Sequence, residues 1–322
     1  MKFSGFLFYI CTMAEILNLV NPNDKLSFKY EISRFPDDQQ SLRLVEDGYN
    51  TFYSLRNNPQ GITIYSRLNS FSDLEIIICA TQALKEVGVK NIRLYIPYCI
   101  GARSDRKFMD GGINYVKTVI APIINSQGYE KVTVIDPHSD VLEACINNFS
   151  KESNIKLVTF ALKDYFLNKG IQTWNVSNLD KICLLSPDSG ALKKVYNVAK
   201  LIKYGEEIIV ANKIRNIETG KIEKTFVPLN IPNGDFMDKD IFIIDDICDG
   251  GRTFLEIAKT IKEDKKFIGK IYLIVTHGIF SSGFNDLNEY FDGIYTTNSV
   301  NQWSTDYQSF PEHSKLKQLN VF

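Results

Sequence analysis

Short apolar runs alternate along this chain with longer segments in which apolar residues recur at helical spacing. The predicted strands lie at residues 61–66, 91–97, 131–136, 181–186, 207–211, 241–245 and 270–276. The predicted helices lie at residues 72–87, 114–127, 189–203 and 253–262. Such alternation is typical of parallel sheets covered by helices, so we predict an α/β fold.

The length of 322 residues allows two domains of about 150 residues each. One strand in each half ends on an acid followed by a turn, at Asp136 and at Asp245, which suggests a duplicated unit. Periodicity weakens near residues 146–172, which we interpret as the link. We therefore predict domains at residues 1–155 and 156–322.

Composition excludes several functional classes. With a net charge of −1 the chain has no basic footprint for nucleic acid, and no apolar stretch reaches the roughly 20 residues that span a membrane. The six cysteines form no C-x-x-C pair, which indicates buried thiols in a reducing compartment, so we predict a cytoplasmic protein. The apolar residues within 1–12 faintly resemble a signal-peptide core, but we interpret them as an extension or an upstream start.

Residues 241–254 carry the densest chemical signal. Four apolar residues run into Asp245 and Asp246, and Asp249 then opens a turn at Gly250 and Gly251 before the next predicted helix. Ligands in open α/β sheets bind just past the carboxyl ends of strands, and backbone N–H groups at a helix start bind phosphate. The same residues also fit a plain strand, loop and helix, with Asp249 as the helix cap.

This segment resembles the phosphoribosyl-diphosphate loop of the phosphoribosyltransferase fold, and most closely that of ribose-phosphate diphosphokinases. That family transfers the β,γ-diphosphate of ATP to the anomeric hydroxyl of ribose 5-phosphate. The resemblance implies two phosphoribosyltransferase-type domains, each a mainly parallel sheet flanked by helices. It also implies that Asp245 and Asp246 bind ribose hydroxyls and that a phosphate is cradled by Asp249, Gly250, Gly251, Arg252 and Thr253.

Two further segments resemble the family's ATP-binding motifs. Residues 96–107 match the first at Arg103, Asp105 and Arg106, with Ser104 in place of the usual Gln. Residues 132–139 resemble the second, whose His contacts Mg-ATP; His138 matches it, and Pro137 replaces the usual Leu. On composition alone, the first segment is equally a solvated charged loop, and a lone His is often structural.

The segment Ser33–Gln39 resembles a family loop that crosses a dimer interface and binds adenine in the neighbouring subunit. Phe35 and Asp37 match that loop, and Gln39 replaces its Glu. The resemblance therefore implies a homo-oligomer, at least a dimer, with Phe35 and Asp37 as ATP-binding residues.

Residues 184–191 resemble a family segment that places an acid near Mg²⁺ and the acceptor ribose. Asp188 matches it, so His138 and Asp188 are the metal-site residues that the resemblance implies, with Mg²⁺ and ATP as cofactor and donor. A helix cap at Ser189 is the alternative interpretation.

Residues 208–215 resemble the start of the family's flexible catalytic loop, in which a Lys and an Arg stabilise the transferring diphosphate. Lys213 and Arg215 match by position and are the predicted catalytic residues; an exposed basic loop is the alternative. Residues 275–279 match a late T-H-G strand end of the family.

The phosphate loop departs from the family pattern Asp-Thr-x-Gly-Thr, because Gly250 replaces the first Thr and Arg252 replaces a Gly. A cation at that position suits an acceptor with a second phosphate. Some phage and bacterial relatives of this kind make ADP-ribose 1-pyrophosphate for NAD⁺ rebuilding. We therefore predict ADP-ribose as the acceptor, with ribose 5-phosphate as the alternative if Arg252 points outward. A phosphoribosyltransferase and a non-catalytic regulatory homologue are the remaining candidates.

Overall fold

The computed structural model describes residues 15–47, 51–215, 222–228, 230–231, 234–236, 238–264, 267–303 and 315–322. The chain forms two compact units: unit 1 comprises Met1–Lys151 together with Phe322, and unit 2 comprises Glu152–Val321. The apolar segment within residues 1–12 lies outside the described residues.

Unit 1 is built around a five-stranded sheet. Its elements are β1 (Ile16–Asn18), β2 (Lys29–Arg34), β3 (Gln40–Val45), α1 (Phe52–Arg56), β4 (Ile62–Tyr65), α2 (Phe71–Glu86), β5 (Ile92–Tyr95), a π-helical turn (Val116–Ile120), α3 (Ala121–Ser126), β6 (Lys131–Ile135), α4 (Val141–Cys145) and β7 (Phe149–Glu152). The sheet order is β1-β4-β5-β6-β7, and β1, β4, β5 and β6 are mutually parallel. Strands β2 and β3 form a separate antiparallel hairpin.

The core of unit 1 lies between the sheet and its helices. Ile64 on β4 and Leu94 on β5 are buried with Ile77 and Leu84 of α2 in one apolar cluster. Helix α2 begins at a capping box in which Ser70 and Asp73 each accept the other's backbone N–H. This packing fixes the carboxyl ends of β5 and β6, which carry the ATP-type motifs.

Unit 2 contains a six-stranded sheet. Its elements are α5 (Ile155–Asn168), a 3₁₀ turn (Val176–Lys181), β8 (Ile182–Ser186), α6 (Leu192–Ile202), β9 (Ile209–Val210), β10 (Asn212–Arg215), β11 (Ile222–Phe226), β12 (Asn230–Ile231), β13 (Gly234–Asp235), β14 (Asp240–Cys248), α7 (Arg252–Glu263), β15 (Ile271–Gly278), α8 (Asn285–Tyr290), β16 (Gly293–Thr297) and β17 (Leu316–Leu319). The order is β17-β16-β15-β14-β8-β9, with every neighbouring pair parallel.

The central strand β14 is buried on both faces, as its nearly unbroken apolar run predicts. Ile241 and Ile243 pack in one apolar cluster with α7, whereas Phe242 and Ile244 pack in a second cluster with α5 and α6. Alternate residues of one strand thus contact two helical layers, which is the predicted architecture of parallel sheets flanked by helices.

Two sequence interpretations need correction. The segment 146–172 contains the boundary between the units, but it is not only a link, because it also holds β7 and the 14-residue helix α5. The helix predicted at 114–127 begins as a π-helical turn and becomes α-helical at Ala121. Cys99, Cys183 and Cys248 are buried thiols as expected, and burial raises the pKa of each to about 12.

Candidate active site

The acids of unit 2 gather at the carboxyl ends of two neighbouring strands. Strands β8 and β14 are parallel, with Leu185 opposite Ile243, so both end at the same edge of the sheet. Strand β14 continues through Cys248 and is longer than predicted. Asp245 and Asp246 therefore lie inside the strand, near its carboxyl end, rather than after it. Asp188 follows β8 directly.

Asp245 and Asp246 are held in different electrostatic states. Asp246 is buried and its Oδ2 lies 2.7 Å from Lys194 Nζ on α6, which compensates its charge. Burial raises the pKa of Asp245 well above its usual value, and the charges of Asp246 and Asp188 raise it further. The pair therefore combines one charge-compensated carboxylate with one whose neutral form is favoured.

Lys194 is a functional candidate that the sequence did not reveal. It stands 52 residues before Asp246 along the chain, and only the packing of α6 against β14 brings the two together. Its pairing with one acid of the site identifies it as a charge-balancing residue.

Asp188 has a structural role at the start of α6. Its Oδ1 accepts the N–H groups of Gly190 and Ala191 at 3.0 and 3.1 Å, which orders the turn before the helix. The alternative of a helix cap at Ser189 is wrong, because the N-cap of α6 is Ala191 and no side chain makes a capping hydrogen bond there. Asp188 is half-buried and influences the pKa of Asp245, so it also belongs to the acidic group.

The turn at residues 249–253 joins β14 to α7 and is the predicted phosphate-binding loop. Gly251 adopts a left-handed φ of 79°, and a Cβ there would meet Leu287 Cδ2 at 3.1 Å, so the turn requires glycine. Asp249 Oδ1 accepts the Ser281 hydroxyl at 2.6 Å, which holds the turn against the loop after β15. Helix α7 begins at Arg252, with Thr253 in its first turn. The N–H groups at a helix start are suited to bind phosphate, and the phosphate-binding role of this turn stays a prediction.

Arg252 itself is directed along α7. Its Nε donates to Glu256 Oε1 at 2.9 Å, one turn further along the helix, and its side chain is 88% exposed. This is the outward arrangement that the sequence analysis connected with ribose 5-phosphate as the acceptor.

Lys213 and Arg215 lie on β10, which pairs with β11 in an antiparallel ribbon. Their backbones stand opposite Thr225 and Ile222, with an irregularity between Ile214 and Arg215. Their side chains lie outside the described part of the structure, so their catalytic assignment stays a prediction.

The ATP-type residues of unit 1 meet at the ends of β5 and β6. Asp105 is buried, and Arg106 Nε lies 3.1 Å from its Oδ1. Burial acts to raise the pKa of Asp105, but the Ser139 hydroxyl, Arg106 and the charge of His138 outweigh it, so this pKa lies below its usual value. The two predicted motifs are therefore one group of interacting side chains, and Ser139 is a member that the sequence did not single out.

The arginines of this group face solvent. Arg103 and Arg106 are exposed, and the Arg106 guanidinium lies 5.8 Å from the centre of the Phe108 ring. Exposed guanidinium groups anchored by a buried acid are suited to bidentate contacts with phosphate.

Phe35 and Asp37 lie in the turn that joins β2 and β3. Phe35 is 51% exposed, and its N–H bonds the carbonyl of Gln39 at 2.8 Å across the turn. The hairpin is anchored where Gln40 contacts Ser72 and Glu75 of α2. The turn therefore presents an aromatic ring to solvent.

His277 of the T-H-G strand end is buried, and its Nδ1 lies 2.8 Å from Ser299 Oγ. This contact joins the ends of β15 and β16 and gives His277 a structural role.

A metal would need oxygen ligands from the acids at these strand ends. Within the described ranges, no three His, Cys, Asp or Glu side chains come together as a metal cluster, and His138 and Asp188 lie on different units. Mg²⁺ is usually held by one or two carboxylates together with substrate phosphates, and Asp188 and Asp245 have that donor chemistry.

In the same described ranges, no helix is long and apolar enough to cross a membrane.

Comparisons with known proteins show which proteins the chain is similar to. A model described as "Phosphoribosyl synthetase-associated domain" matches residues 203–321. A ribose-phosphate pyrophosphokinase of Mycoplasmopsis pulmonis is 27% identical over 79% of this chain and 71% of its own. One from Pyrococcus furiosus is 24% identical over 84% and 85% of the two chains, and one from Thermococcus kodakarensis is 26% identical over 89% and 91%.

A solved structure supports the fold assignment. The crystal structure of phosphoribosylpyrophosphate synthetase from Mycobacterium smegmatis superposes with a TM-score of 0.70 over 92% of this chain and 87% of its own, at 19% identity. That likeness confirms the predicted α/β fold of parallel sheets flanked by helices. The relatives span both units and are ribose-phosphate pyrophosphokinases, so the chain is similar along most of its length to diphosphotransferase enzymes of that kind.

Proposed function

We propose that this enzyme transfers the β,γ-diphosphate of ATP to the C1 hydroxyl of ribose 5-phosphate. The observation that carries the proposal is the phosphate-type turn at 249–253 beside the acid pair of β14, in a chain whose relatives are named ribose-phosphate pyrophosphokinases. The C1 oxygen would bond to the β-phosphorus as the α–β bridging oxygen leaves on AMP. The hydroxyl proton is released, and the products are phosphoribosyl diphosphate and AMP.

In unit 2, the turn at 249–253 would hold the 5-phosphate of the acceptor through backbone N–H groups and the Thr253 hydroxyl. Asp245 and Asp246 would accept hydrogen bonds from the ribose hydroxyls, with Lys194 keeping Asp246 charge-balanced. This arrangement would orient C1 toward the donor.

In unit 1, Arg103 and Arg106 would bind the phosphates of ATP, with Asp105 fixing Arg106. His138 in unit 1 and Asp188 in unit 2 are each proposed as metal-site residues of their own unit. Mg²⁺, when bound, would neutralise phosphate charge and polarise the transferring group. Lys213 and Arg215 would stabilise the charge that develops on the diphosphate. We also expect a homo-oligomer, because the Phe35 ring is exposed at a hairpin tip in the manner of a residue that serves a neighbouring subunit.

The prediction of ADP-ribose as acceptor is not supported. It depended on Arg252 reaching a second phosphate, whereas the Arg252 guanidinium pairs with Glu256 and all the named relatives are ribose-phosphate enzymes. Ribose 5-phosphate, stated above as the alternative, is therefore the acceptor that we propose.

The test measures AMP formation from ATP and Mg²⁺ with ribose 5-phosphate, ADP-ribose or no acceptor. We expect release that depends on ribose 5-phosphate, and a fall of about 100-fold or more in turnover for Lys213→Ala with unchanged far-UV circular dichroism. Release with ADP-ribose alone would contradict the acceptor assignment. A transfer that needs no ATP would contradict the reaction.

A further inference from the structure

The carboxylate of Glu256 on α7 bridges two elements of the proposed site. Its Oε1 accepts Arg252 Nε at 2.9 Å, at the start of the helix that follows the phosphate turn. Its Oε2 accepts the Thr225 hydroxyl of β11 at 3.3 Å. One oxygen of the side chain thus pairs within α7, at the start of the helix, and the other binds β11.

Thr225 occupies a critical position on its strand. In the antiparallel ribbon it stands directly opposite Lys213, the residue assigned to the transferring diphosphate. Thr225 is buried, and Val227 two residues later packs in the apolar cluster that also contains Ile257 of α7. Strand β11 is therefore attached to α7 beside the cross-strand partner of Lys213.

The Thr225–Glu256 contact is less exposed to solvent than the Arg252–Glu256 pair. The Glu256 side chain is 28% exposed, and a buried hydroxyl that donates to a carboxylate makes a charge-assisted hydrogen bond. The Arg252 contact by itself is weak, because that guanidinium is exposed.

We propose that Glu256 is a positioning residue that ties the β10–β11 ribbon to the phosphate-binding turn. This inference rests on the proposed function for its catalytic consequence. Because Lys213 is placed by the ribbon and the acceptor phosphate by the start of α7, the Thr225–Glu256 hydrogen bond fixes the register between the two. The contact acts on turnover through Lys213 and does not itself touch a substrate.

The kinetic test uses Glu256→Gln and Thr225→Val, which keep side-chain size and remove the charge or the hydroxyl. We expect each to lower kcat about ten-fold while KM for ATP and for ribose 5-phosphate changes less than about two-fold. The double variant should fall no further than the worse single variant, because both remove the same link. Thr225→Ser keeps the hydroxyl and should retain the turnover of the parent enzyme. Glu263→Gln is the matched control, because Glu263 is an exposed acid on the same helix.

A second measurement does not depend on activity. Hydrogen–deuterium exchange of the amides in residues 222–227 should become about five-fold faster in Glu256→Gln than in Glu263→Gln, with no substrate present. Equal protection in the two variants, or a double variant whose loss is the product of the single losses, would overturn the inference. If exchange responds but the parent enzyme forms no AMP with ribose 5-phosphate, the proposed function fails and the structural link stands.

Discussion

For Asp105, the sequence predicted the motif to which the residue belongs but not all of its contacts. Its place in the motif that ends at Arg106 predicted an ATP-binding role from neighbouring positions alone. Its contact with Ser139, 34 positions later, depends on β5 and β6 lying side by side, which no local pattern specifies. Lys194 was missed for the same reason, because its partner Asp246 is distant in the sequence.

Asp105→Asn should destabilise unit 1 in a pH-dependent manner. The pKa of Asp105 is lowered in the folded protein, so its carboxylate stabilises the fold above the usual pKa of about 4 and loses that effect as the pH falls through the lowered value. The difference in unfolding free energy between the parent and the variant should therefore be largest near neutral pH and shrink below about pH 4. Chemical denaturation across that range measures it.

Asp110→Asn is the control for that measurement, because Asp110 is fully exposed and pairs only with the exposed Lys107 among the contacts described. A stability difference for Asp105→Asn that stays constant from neutral to acidic pH would contradict the assignment of its lowered pKa.

At the scale of elements, the central strands were predictable and the peripheral ones were not. Strands such as β14 can be predicted from the sequence, because a strand buried on both faces is a run of apolar residues. Strands β12 and β13 are two residues long each, too short to carry any periodicity. Helix α5 was missed although Leu162 and Phe166 line its buried side, because the segment around it was interpreted as a link of weak periodicity.

The attachment of α5 provides a prediction at this scale. Asp164 accepts the Tyr295 hydroxyl of β16 at 2.8 Å and lies 2.6 Å from Lys317 Nζ on β17. Asp164→Asn should lower the unfolding free energy by about 1–2 kcal/mol, because the lysine loses its charge partner and the buried tyrosine keeps only a neutral acceptor.

Urea denaturation followed by circular dichroism measures that change. Asp180→Asn removes the same charge at an exposed position in the same unit and should leave the midpoint unchanged. Equal midpoints for the two variants would show that the Asp164 contacts contribute nothing to stability.

At the scale of the whole molecule, the residues that we propose for binding the donor and those that we propose for binding the acceptor belong to different units. The ATP-type group at Asp105 and His138 belongs to unit 1, and the acid pair with its phosphate turn belongs to unit 2. Alternation of strands and helices was enough to predict two parallel α/β units. The acceptor could not be read from the sequence, because the identity of Arg252 does not indicate where its side chain points.

This separation predicts two distinct ligand footprints. In hydrogen–deuterium exchange, Mg-ATP alone should protect residues 98–106 and 136–139, whereas ribose 5-phosphate alone should protect residues 249–255. The unliganded enzyme is the reference, and ADP added without Mg²⁺ tests whether the first footprint needs the metal. Protection of the 249–255 segment by Mg-ATP alone would contradict the proposed division.

The Lys194–Asp246 ion pair lowers the negative charge that a sugar phosphate meets at the proposed acceptor site. Four acids, Asp188, Asp245, Asp246 and Asp249, stand near the proposed acceptor site of a chain whose net charge is already −1. If all four were fully charged, they would repel a sugar phosphate before its hydroxyls came within reach. Lys194 cancels one charge and burial disfavours another, so the oxygen atoms that recognise the sugar remain while much of the repulsive field is removed.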